Sequence, residues 1–128
     1  MSRLWIGLVL ALSIGCQKGP QLGQVTGVVT FEGKPIEKAT ITFTPLDGQV
    51  AHARTAADGS YMLQFADGRP GAMLGDNVVS IETYRVDVDA QDNVFEHKEI
   101  LPAKYNVQSE LTRVVEPGKN LFDFKLTK

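Results

Sequence analysis

Side chains able to do chemistry are few in this 128-residue chain, and they are far apart. There is one cysteine, Cys16, and there are two histidines, His52 and His97. A thiol can act as a nucleophile, a metal ligand or a site of covalent modification, and its neighbours decide which. Neither histidine belongs to a spacing such as H-E-x-x-H, which would bring two imidazoles onto one metal. His97 sits in Glu96-His97-Lys98-Glu99, a charged run expected to be solvated. No G-x-S-x-G turn is present to expose an activated serine.

Oxygen ligands are more plentiful. Between Asp76 and Glu99 the chain carries seven acids against Arg85 and Lys98, a local charge of −5. Within it, "DVDAQDN" (residues 87–93) offers Asp87, Asp89 and Asp92, and a hard cation such as calcium takes several oxygens from one loop. The EF-hand pattern is not met, because its sixth place is Asp92 instead of glycine and its twelfth is Lys98 instead of glutamate. The plainer expectation is a solvated acidic connection between strands. Sugar binding would need exposed aromatic platforms, for which Tyr84 and Tyr105 are available. Tyr105, in "PAKYN", lies in a long connection of the kind where function collects; its other expected role is to tuck over the edge of the fold.

The neighbours of Cys16 answer the question its thiol raises. Arg3 precedes the apolar run Leu4–Leu12, and the small or turn-compatible Ser13-Ile14-Gly15 leads into Cys16. That is the charged, apolar and cleavage-site order of a secretory signal. The run is shorter than the roughly 20 apolar residues of a bilayer-spanning helix. The segment "ALSIGC" resembles the lipobox of bacterial lipoproteins, which are cut before the cysteine and acylated on its sulfur. Ser13 stands where that family prefers leucine. The alternatives are an ordinary signal peptide with an incidental cysteine, and an uncleaved membrane anchor. The resemblance implies a signal peptide over residues 1–15, lipid on Cys16 and a membrane partner. By analogy with enteric sorting, Gln17 favours the outer membrane over the inner. Two or more acyl chains hold a protein stably on a bilayer, where one holds it marginally.

Cleavage there leaves residues 16–128 with 12 basic and 15 acidic side chains, a net charge of −3. This balance has no footprint for nucleic acid. It also leaves no thiol for catalysis and no possible internal disulfide, so packing must stabilise the domain. Residues 16–23 read as a lipidated, polar tether broken by Gly19, Pro20 and Gly23.

From residue 24 the pattern changes to a period of two. Val25, Gly27, Val29 and Phe31 alternate with Thr26, Val28 and Thr30, and Ala39, Ile41 and Phe43 with Thr40 and Thr42. Further alternating runs begin at Ala51, Tyr61, Val79, Leu111 and Phe122. Such runs signal half-buried strands. Glu32-Gly33-Lys34-Pro35 and Asp58-Gly59 are turn chemistry, the second a hairpin signal. About seven short strands without a helical period predict an all-β antiparallel sandwich. Phe43, Tyr61, Phe65, Phe122 and Phe124 are its expected core.

"GVVTFEGKPIEKATITFTPLDG" followed by "ARTAADGSYML" resembles the carboxypeptidase-regulatory-like or transthyretin-like domain. The ending "LPAKYNVQSELTRVVEPGKNLFDFKL" is similar to that of small, mostly uncharacterised bacterial lipoproteins. The first resemblance implies a prealbumin-like, Greek-key sandwich over residues 24–128. Transthyretin-like proteins include a hydroxyisourate hydrolase with a Y-R-G-S tail, but this chain ends Leu126-Thr127-Lys128 and lacks the matching histidine motif. The expectation is therefore a lipid-anchored, non-catalytic envelope lipoprotein with a structural or protein-interaction role and no cofactor. Its partners would be the membrane and an envelope protein or glycan. A calcium-assisted carbohydrate or small-ligand binder is the alternative, and a transthyretin-like hydrolase a further one.

Overall fold

Strand β1 (Leu22–Phe31) is the axis of one sheet, and its composition shows why. Gly23, Val25, Gly27 and Val29 turn inward, while Gln24 and Val28 face water. The computed structural model describes residues 19–128; the expected signal segment and Cys16 lie outside the described residues. The sheet begins at Leu22, inside the expected tether, and Gly19 already lies against Arg69.

Thirteen strands are present among the described residues. After β1 come β2 (Lys34–Pro35), β3 (Thr40–Pro45), β4 (Ala51–Arg54), β5 (Ser60–Met62), β6 (Gln64–Phe65) and β7 (Ala72–Met73). Then follow β8 (Gly75–Glu82), β9 (Arg85–Val88), β10 (Val94–His97), a single 3-10 turn (Ala103–Tyr105), β11 (Leu111–Val115), β12 (Gly118–Leu121) and β13 (Phe124–Leu126). β7, β5 and β2 pair antiparallel with β1, while β12 and β13 pair parallel with it. The second sheet runs β11-β8-β3-β4-β6, antiparallel throughout. The all-β sandwich is as expected, but the first and last strands depart from an all-antiparallel plan.

Gly27 permits that parallel closure. Between β12 and β13 the chain bulges at Phe122, and a Cβ on Gly27 would collide with the Phe122 carbonyl group. The Phe122 amide donates to the Thr26 carbonyl at 2.9 Å, and the buried Tyr61 hydroxyl donates to the Phe122 carbonyl at 2.6 Å. Phe43 of the second sheet meets Phe122 at 6.1 Å and Phe124 at 6.4 Å between ring centroids, which joins the two sheets. Phe43, Tyr61, Phe65 and Phe124 are buried as expected; Phe122 is half-buried, because its backbone forms the bulge.

Two turns test the local reading. Glu32 and Gly33 both have positive φ (51° and 79°), the requirement of a tight hairpin that matches strand twist, and it pairs β1 with β2. Asp58-Gly59 also turns, with Gly59 at φ 80° and the Asp58 carboxylate accepting from the Ser60 amide at 3.0 Å. Its flanking strands do not form the expected hairpin. β4 stays in the second sheet, whereas β5 crosses to β1, and β6 returns to β4. The segment 60–65 thus stitches both sheets together.

The registers also give the sandwich a polarity. Leu22 and Gly23 lie beside Met73, Ala72 and Gly118 at one end, and Phe31 lies beside Leu126 at the other. β8 starts at the first end, where Gly75 pairs with Val115, and finishes at the second, where Glu82 pairs with Thr40. At about 3.3 Å per residue, the ten residues of β1 separate these ends by about 30 Å.

Candidate functional site

The stretch expected to be an acidic connection is instead two kinds of structure. Asp76 and Glu82 belong to β8, and residues 85–97 form a separate two-stranded hairpin, β9–β10, beyond its end. Val88 opposes Val94, Glu96 opposes Val86, and His97 opposes Arg85. Successive side chains of a strand alternate between faces. Val86, Val88, Val94 and Glu96 therefore share the outer face, while Arg85, Asp87, Phe95 and His97 share the inner one. This hairpin was legible in principle, since Val86 and Val88 alternate with Asp87 and Asp89, but the acids made it resemble a loop.

The base of the hairpin is clamped by a polar network that sequence reasoning missed. The Glu99 carboxylate accepts from the amide of buried Thr83 at 2.8 Å, from its hydroxyl, and from Asn106 Nδ2 at 3.1 Å. The Ile100 amide donates to Thr83 Oγ1 at 2.9 Å. Glu99, expected to be one more solvated acid, thus ties the start of the hairpin to its end. Nothing local distinguishes it from Glu96, because its partner Thr83 is brought near only by the hairpin itself.

Two of the three calcium candidates, Asp87 and Asp89, are engaged separately. Arg85 Nε donates to Asp87 Oδ2 at 3.1 Å, and His97 Nε2 lies 3.1 Å from the same oxygen. Arg85's hydrogen bond holds the Asp87 carboxyl below its ordinary value, and His97 and Lys38 add in the same direction. Asp89 closes the hairpin tip. Its Oδ1 accepts from the amides of Gln91 and Asn93, both at 2.9 Å, and its Oδ2 accepts from Asn93 Nδ2 at 3.0 Å. These bonds, led by that of the Asn93 side chain, depress its pKa too. Asp92 sits in the same turn at φ 63°. Among the described residues no three His, Cys, Asp or Glu side chains gather as a metal would require. Where an open acidic connection was expected, Asp89 closes a tight turn with Gln91 and Asn93.

The two histidines line different clefts. His52, on β4, borders one of about 490 Å³ with Thr40, Arg54, Met62 and Gln64. His97 borders another of about 480 Å³, between the hairpin base and Ile36-Glu37, with Arg85 and Lys98. They do not converge, so a site using both has no geometric basis. Tyr105 is buried, and its hydroxyl accepts from the Thr127 amide at 3.0 Å, a bond that lowers the phenol's pKa. It tucks over the sandwich edge, as the second expectation had it, and cannot serve as an exposed platform. Tyr84 remains exposed at the start of the hairpin.

No family model matches the chain. No curated protein matches it either. Among solved structures, a 9R-lipoxygenase from Cyanothece PCC8801 aligns over 88% of this chain and 17% of its own, with 15% identity and a TM-score of 0.46. The chain spans only that 17% of the lipoxygenase, and so slight a likeness carries no argument for fold or activity. The described chain enters the sandwich at one end, and the hairpin with its exposed valines lies at the other.

Proposed function

We propose that this protein is a lipid-anchored, non-catalytic envelope module of the carboxypeptidase-regulatory-like kind that presents a protein-interaction surface away from the membrane. The observation that carries the reading is the opposition of its two ends. The chain enters β1 at Leu22 from a polar segment that follows Cys16, and the hairpin β9–β10 projects from the other end. A lipid on Cys16 would hold the first end at the bilayer and leave the hairpin facing outward. Large apolar side chains left in water at such a place are the ordinary mark of an interaction surface. The sequence order of charge, apolar run, small residues and cysteine supports the anchor.

The test is fractionation. Wild-type chain should pellet with membranes and incorporate labelled fatty acid, and Cys16→Ser should lose the label and move to the soluble fraction. A Cys16→Ser chain that still pellets would show that lipid on this residue is not the anchor.

A further inference from the structure

Two features of the β9–β10 hairpin are left unused by its own domain. On the outer face Val86, Val88 and Val94 are 50%, 60% and 67% exposed. In addition, among the described residues β9 and β10 pair only with each other, so each keeps an edge of backbone N–H and C=O groups that no described strand satisfies. The edge of β9 reads Arg85-Val86-Asp87-Val88 and continues into Asp89, with the valines on one face and the acids on the other.

Charge and position select the occupant. Residues 84–99 hold five acids against Arg85 and Lys98, a net charge of −3. A second copy would bring two such excesses into contact, and like charges across an interface oppose association. An anionic bilayer is disfavoured in the same way and, under the tethered reading, lies at the far end of the sandwich. Under the same tethered reading, with cleavage before Cys16, the chain's own tether cannot reach. Residues 16–18 extend about 10 Å at most, against the roughly 30 Å between the two ends. What complements this edge is a cationic extended segment from another protein.

We propose that β9 docks such a segment by strand addition, and that the segment alternates lysine or arginine with apolar residues. Main-chain hydrogen bonds supply affinity in this mode, and alternate side chains supply specificity. The added apolar residues extend the outer valine face, and the added cations fall beside Asp87 and Asp89 on the inner one. This inference rests on the reading of the domain as an interaction module and names the chemistry of its partner.

The experiment uses the full chain, purified in mild detergent from whichever fraction holds it, and a capped eight-residue peptide alternating lysine with valine. Two control peptides replace lysine by glutamate or place all lysines before all valines. Fluorescence anisotropy should give saturable binding of the alternating peptide, at least about tenfold weaker for each control and weakened by ~0.5 M salt. Amide hydrogen exchange should show new protection at residues 85–88. The double variant Val86→Thr/Val88→Thr keeps β-branched shapes, so the hairpin persists, and should lose about tenfold in affinity. Val114→Thr, at an exposed position on β11, should lose nothing. Absence of saturable binding, equal binding of the acidic peptide, or protection on β11 instead of β9 would overturn the proposal. Self-association abolished by the double variant would overturn it in favour of a second copy. Anchor and docking fail separately, because fractionation of Cys16→Ser does not depend on the hairpin and peptide binding does not depend on the lipid.

Discussion

In β1, Val25 and Val29 are wholly withdrawn from water, whereas in β9 Val86 and Val88 remain 50% and 60% exposed. The two strands share a pattern of β-branched residues alternating with polar ones, and both pair with neighbours in a sheet. The difference is what lies across from them. β1 faces the second sheet, whose Ile41, Phe43, Val79 and Ile81 are fully buried against it. β9 belongs to a two-stranded ribbon that extends past the end of both sheets, and among the described residues no layer covers its valines. Alternation therefore states which residues share a face; a second layer decides whether that face is a core or a surface.

The sharpest way to break this contrast is a pair of ring deletions. Phe124→Ala, in the core, should cost about 3–5 kcal/mol in urea unfolding, while Phe95→Ala, on the half-exposed hairpin, should cost about 1 kcal/mol or less. Equal losses would mean that the hairpin belongs to the same cooperative core. Next in size is the clamp. Thr83→Val or Glu99→Leu strands buried partners and should cost about 1–3 kcal/mol. The accompanying rise in amide exchange should concentrate in β9 and β10 and spare β1, and a uniform rise would refute the clamp.

A smaller effect is expected at Tyr61. Burial pushes its phenol above the ordinary value, with Asp123 adding in the same direction. The unfolded chain therefore ionises first as pH rises past about 10. Stability is fully present below that point and declines above it. Tyr61→Phe should lose about 1 kcal/mol at neutral pH, for the hydrogen bond to Phe122, and show a shallower alkaline decline. Smaller still, Val86→Thr/Val88→Thr should leave the urea midpoint within about 0.5 kcal/mol of wild type, since no contact layer is lost. Last are the carboxyls of Asp87 and Asp89, both depressed by their hydrogen bonds. Their contribution is present above about pH 4 and fades as pH falls through the folded-state values. Exchange in the hairpin should quicken in acid, and Asp87→Asn should blunt that response.

Local features were the legible ones. The period of two in Val25–Phe31 predicted both the strand and its buried face. Glu32-Gly33-Lys34-Pro35 declared its turn through Gly33 and Pro35, although Glu32 at φ 51° is a residue that seldom takes that conformation. Asp58-Gly59 declared its turn equally well yet misled about pairing, since turn chemistry acts over four residues and strand partnership is decided by distant chain. The short β2, β7 and β12 carry too few residues to show a period. The site was less legible than the fold. Asp87, Asp89 and Asp92 suggested a cation, but the hydrogen bonds of Asp87 to Arg85 and of Asp89 to Gln91 and Asn93 depend on a hairpin that composition alone disguised. Glu99 and Thr83 are 16 residues apart, and only folding unites them.

The parallel pairing of β13 with β1 bears on how the chain is made as well as on how it stands. Val29 partners Phe124, and the Val28 amide donates to the Asp123 carboxylate, across a separation of 95 residues. Contacts of such range form late and slowly, because a long loop must close before they return any stabilisation. β12 pairs with the first half of β1 and Phe122 already meets Phe43, but until Phe124 is available Val29–Phe31 lack their parallel partner and Phe43 lacks its second ring. Closure of the first sheet, begun by β12 and finished by β13, therefore waits on chain that lies about 95 residues beyond β1.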